Sequence, residues 1–64
     1  MRLTEFWNRM EGQFGPEYAR SWATDYVLPE LGGLSVMQAI DFGYETKTIW
    51  LAVVKNQGWG PEIR

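Results

Sequence analysis

Apolar side chains recur at helical spacing near the start of the chain: Phe6, Met10 and Phe14 fall four residues apart, with mostly polar residues between them. Such a recurrence sets one face of an α-helix against a core. Thr4 offers a hydroxyl suited to capping this helix, Leu3 stands in the place of a preceding hydrophobic staple, and Glu5 and Arg9 have ion-pair spacing. The pattern predicts a helix from about residue 5 to residue 14, ended by Gly15. Pro16 and Glu17 then suit the first turn of a second helix, where a missing N–H costs nothing and a negative charge is favoured. Along it Tyr18, Trp22 and Tyr26 form a stripe flanked by Ala19, Ala23 and Val27.

Pro29 disfavours helix at Leu28, and Gly32-Gly33 supplies positive-φ positions, so Leu28 to Leu34 reads as a turn. Ser35 with Gln38 three residues on matches a capping box. It opens a short helix carrying Val36, Met37, Ala39, Ile40 and Phe42, ended by Gly43. Thr46 is read as the cap of a fourth helix running to about Gln57, with Gly58 as its stop. The run Thr48 to Val54 is also rich in strand-favouring residues. No second strand-like run exists to pair with it, and Ile49, Trp50, Val53, Val54 and Gln57 share one helical face, which decides for helix. The tail from Trp59 to Arg64 reads as irregular, with Trp59 docked on the body.

The expected fold is therefore all-α, a compact bundle of about four short helices forming a single domain over residues 1–64, the last two arranged like a helix-turn-helix. Phe6, Phe14, Trp22, Tyr26 and Trp50 are the expected core aromatics, and Trp7, off the first stripe, is expected to be partly exposed. At 64 residues and 45% hydrophobic content, most large apolar side chains are needed for packing.

The chain contains no cysteine and no histidine. That removes disulfides, Cys/His zinc sites, thiol nucleophiles and histidine general bases, so stability must come from packing and capping. The acids are scattered, and Gly43 interrupts the helix that would align Asp41 with Glu45. Ser21 with Asp25 reads as a solvent-facing polar strip. Neither an enzyme nor any cofactor or metal is expected. The longest apolar run, Ile49 to Val54, is far short of the roughly 20 residues that span a bilayer, and the start does not look like a signal peptide, so a cytoplasmic location is expected.

A protein partner of unknown identity is the expected ligand. Leu51 lies off the main apolar face in line with Lys47 and Lys55, and together with Trp7 these residues form the candidate partner surface. The alternative is DNA binding. Ala39, Gly43 four residues later and Ile49 six after that have helix-turn-helix spacing, in which a small residue lets the helices approach and Gly permits the turn. The outward positions would then include Glu45, Thr46, Lys47, Trp50 and Leu51, with no Arg, Asn or Gln to read base edges. Six Lys and Arg against eight Asp and Glu give a net charge of −2, which provides no general attraction for phosphates.

Several short stretches together resemble a family of short actinobacterial proteins of unknown function. They are Met1-Arg2-Leu3-Thr4-Glu5-Phe6, Phe14-Gly15 before Tyr18-Ala19, Val27-Leu28 before Leu31-Gly32-Gly33, and Ala39-Ile40 with Gly43 before Trp50. The resemblance implies a cellular context near recombinase and recombination-regulator genes, and no catalytic or binding residues. Where members of that family commonly carry a basic residue, a cysteine and a histidine, this chain has Leu51, Val54 and Tyr26.

Overall fold

The computed structural model describes residues 1–60. Helix α1 spans Leu3–Phe14 and begins earlier than its periodicity suggests. Arg2, in extended conformation, is the N-cap and uses no side-chain bond; the Phe6 N–H donates to its carbonyl at 2.9 Å. Thr4 therefore lies within the first turn, not at the cap. Glu5 and Arg9 do pair, at 3.0 Å.

Helix α2 spans Ala19–Asp25. Pro16 to Tyr18 form a separate turn before it, contrary to the reading of Pro16 as a first helical residue. The Gly15 carbonyl closes that turn by accepting from the N–H groups of Tyr18 and Ala19, at 3.3 and 3.0 Å.

The fold is mostly helical without being strictly all-α. Strands β1 (Val27–Leu28) and β2 (Leu34–Ser35) pair antiparallel, Val27 opposite Ser35 and Leu28 opposite Leu34. A 3₁₀ turn, Pro29–Leu31, brings them together. The N–H of Gly32 donates to the Pro29 carbonyl and that of Gly33 to the Leu28 carbonyl, both at 3.0 Å. Leu28 and Leu31 are buried by this arrangement, so the connection is also part of the core.

Helix α3 spans Val36–Asp41 and starts with the expected capping box: Gln38 N–H donates to Ser35 Oγ at 3.2 Å, and Ser35 N–H to Gln38 Oε1 at 3.0 Å. It ends on Gly43, whose φ of 86° is left-handed. The N–H of Gly43 donates to Ile40 and that of Tyr44 to Ala39, the double closure of a Schellman motif.

Helix α4 spans Thr46–Gln57. Its N-cap is Glu45, and Thr46 is the first helical residue; the Thr46 hydroxyl donates instead to the Met1 carbonyl, tying the chain's start to α4. The strand-favouring run is helical, with Ile49, Trp50, Val53 and Val54 buried on one face and Gln57 exposed beyond it.

The core lies between α1 and α4, with α2, α3 and the small sheet closing it. Phe6, Trp22 and Trp50 are buried as expected, while Phe14 is half-buried against the core. Two aromatic assignments are corrected. Trp7 is only 8% exposed, because the buried arc of α1 includes Phe6, Trp7 and Met10 and is wider than the four-residue stripe. Tyr26 is 43% exposed, because it follows the last helical residue of α2 with extended backbone and leaves the helical register.

Candidate interaction surface

The end of α4 determines the shape of its outer face. Gly58, with φ 71°, closes the helix by donating to Lys55 at 3.2 Å, while the Trp59 N–H reaches back to the Val54 carbonyl at 3.1 Å. This turn folds Trp59 against the body, where its ring centroid lies 5.5 Å from Phe14 and 5.8 Å from Trp50. The expected docking of Trp59 is thus present; residues 61–64 of the expected irregular tail lie outside the described residues.

Leu51, Val54, Lys55, Gly58 and Trp59 line an open groove of ≈ 430 Å³. Val54 is buried and forms its floor, whereas Leu51 keeps 41% of its surface exposed. A leucine half in water beside a tryptophan is the kind of apolar contact a partner can complete. Lys55 lies on the groove, and exposed Lys47 stands one helical turn before Leu51.

Of the four residues expected to form one surface, Lys47, Leu51 and Lys55 share the outer side of α4. Trp7 does not join them as an exposed anchor. Its indole packs edge-on against Phe6 at 5.3 Å, and the Arg20 guanidinium covers it at 4.1 Å from the ring centroid. Trp50 is likewise removed from the outward set, being 2% exposed and packed against Phe6 at 6.3 Å.

Two further concavities were not read from the sequence. Tyr18, Ser21, Trp22, Asp25 and Tyr26 line a cleft of ≈ 160 Å³, so the polar strip of Ser21 and Asp25 adjoins two exposed tyrosines. Leu31, Gly32, Leu34, Phe42 and Tyr44 line a second, of ≈ 380 Å³. Phe42, expected among the apolar residues of α3, is 72% exposed because it occupies the C-cap, past the last turn. The aromatic stripe and the Phe42-Gly43 junction were the available signals.

Among the described residues, no group of three or more Asp or Glu side chains is placed to hold a metal ion, and no helix is long and apolar enough to cross a membrane. No curated protein and no solved structure matches the chain. A family model described as a protein of unknown function (DUF3046) matches residues 1–58.

Proposed function

For a chain that belongs to the DUF3046 family of proteins of unknown function, we propose a non-catalytic role as an interaction or regulatory module that binds a protein partner through the outer face of α4. The observation that carries this reading is the groove in which half-exposed Leu51 faces Trp59 above buried Val54, with Lys55 alongside. Burying such side chains in a partner releases water from apolar surface, and an aromatic wall gives a rigid contact at small entropic cost. The framework beneath it is fixed by the packing of Trp50 and Trp59, so the groove is pre-organised.

The test is site-specific photo-crosslinking in the native host, with a benzophenone side chain at position 51 and, as control, at exposed Gln13 on α1. A discrete adduct from position 51, absent from position 13 and lost when Val54 or Trp59 is substituted in a folded variant, is the expected result. Equal crosslinking from both positions, or none from position 51, removes α4 as the docking face.

A helix-turn-helix DNA-binding module is the second reading, supported by one specific arrangement. Ala39 and Ile49 are fully buried at the expected spacing, and Gly43 adopts the left-handed conformation between them. Against it, the burial of Trp50 leaves Lys47, Thr48, Leu51 and Lys55 as the exposed side chains of α4 before Asn56, so two lysines are the main base-reading groups there and no Arg, Asn or Gln joins them.

A further inference from the structure

The charge on the outer face of α4 points to the chemistry of its partner; this inference rests on the reading of that face as a docking surface. Lys47 and Lys55 stand four residues to either side of Leu51, both are exposed, and α4 contains no acidic residue from Thr46 to Gln57. This basic and apolar stretch lies on a chain in which acids outnumber bases, eight to six. Its limits are acidic: Glu45 is the N-cap of α4, and Glu30, accepting from Asn56 at 3.1 Å, lies beside the last turn.

The other concavities carry less. In the tyrosine cleft the Trp22 indole is buried and already stacks on Phe14 at 4.4 Å and on Tyr26 at 4.9 Å, which leaves it little surface for a ligand. The cleft beside Phe42 has no charged lining residue to select an occupant.

We infer that the α4 groove takes an acidic peptide in which one large apolar side chain is flanked by two carboxylates. The apolar side chain enters between Leu51 and Trp59 over Val54, and the carboxylates meet Lys47 and Lys55. Eight helical residues at about 1.5 Å each separate the two lysines by about 12 Å along the axis. An extended peptide covers that distance in about four residues at roughly 3.3 Å each. The recognised pattern is therefore acid, spacer, apolar residue, spacer, acid. Carboxylates placed farther out meet Glu45 or Glu30 and are disfavoured.

A direct test titrates the isotopically labelled full chain with a synthetic peptide containing Glu-Ser-Phe-Ser-Glu between Gly-Ser flanks, followed by amide and indole NMR shifts up to about 5 mM peptide, which covers millimolar dissociation constants. Saturating shifts confined to Lys47, Leu51, Val54, Lys55 and Trp59 are expected. The Lys47→Glu/Lys55→Glu variant, with unchanged circular dichroism, should bind about 2- to 25-fold more weakly, since each exposed pair is worth a factor of about 1.4 to 5. Equal binding by a Gln-Ser-Phe-Ser-Gln peptide at the same residues overturns the acidic specificity and leaves the docking face standing. Absence of shifts on this face with either peptide overturns both. A nuclear Overhauser contact between Leu51 and Ile63 in the free protein would make the chain's own end the occupant and overturn the inference.

Discussion

Trp50 combines near-complete burial with a polar atom left over. It is 2% exposed, and its indole Nε1 has no hydrogen-bond partner among the described residues. A buried donor without an acceptor lowers the net contribution of an otherwise well-packed ring. Trp50→Ala should cost about 3 to 5 kcal/mol through the cavity it leaves, a large part of the 5 to 15 kcal/mol typical of a folded domain. Trp50→Phe removes the same unmatched N–H but keeps most of the contact with Phe6 and Trp59, so its cost should be smaller by at least about 1.5 kcal/mol. Urea denaturation of both variants checks the order; equal losses would mean that the phenyl ring recovers none of the packing. At this scale, spacing in the sequence identified Phe6, Trp22 and Trp50 as core and Leu51 as half-exposed, but exchanged the environments of Trp7 and Tyr26. The missing information was tertiary. Trp7 is covered by Arg20 from another helix, and Tyr26 lost helical register where α2 ended. Arg20→Ala should therefore destabilise by about 0.5 to 1 kcal/mol, the worth of an exposed cation–π contact, again read from urea midpoints.

The connections between elements are held by hydrogen bonds that sequence reveals unevenly. Ser35-x-x-Gln38 was legible because the capping box satisfies two orphan N–H groups within a single turn, without help from elsewhere in the fold. Ser35 is also 3% exposed, so Ser35→Ala removes a buried acceptor from the Gln38 N–H. A loss of about 1 to 2 kcal/mol, at the upper end for N-caps, is expected by thermal denaturation. Gly43→Ala tests the other end of α3. An added Cβ there meets no atom within 4 Å, so the cost is that of left-handed backbone alone, about 1 to 2 kcal/mol, and Gly43→Asn should recover part of it. Thr4 and Thr46 were misread as caps because a hydroxyl before an apolar run is a local signal, whereas both helix starts were fixed by other residues. In α4 the Thr46 hydroxyl has a partner 45 residues away in the sequence. The two-residue strands could not be read at all, since a period of two needs more residues than each contains, and Val27 was read with the stripe of α2 and Leu28 with the turn.

Across the whole molecule, the distribution of charge favours the proposed peptide partner over a nucleic acid. Specific DNA binders neutralise several phosphates, and their affinity falls with salt at a slope near −0.9 per phosphate contacted. The face of α4 offers Lys47 and Lys55 with Glu45 adjoining, on a chain of net charge −2. Two cations per face give a slope near −2 for one copy, and a symmetric pair of copies would still reach only about −4. The proposed acidic peptide would need no more than those two lysines, because an apolar residue in the Leu51–Trp59 groove would add affinity that is independent of salt. Random duplex DNA should consequently bind more weakly than the roughly 10⁻⁴ to 10⁻⁶ M usual for DNA-binding domains at physiological salt. Fluorescence anisotropy at low and physiological salt measures this directly. Micromolar binding that weakens steeply with salt and is abolished by Lys47→Glu would reverse the assignment, making α4 a groove-reading helix and its lysines phosphate contacts.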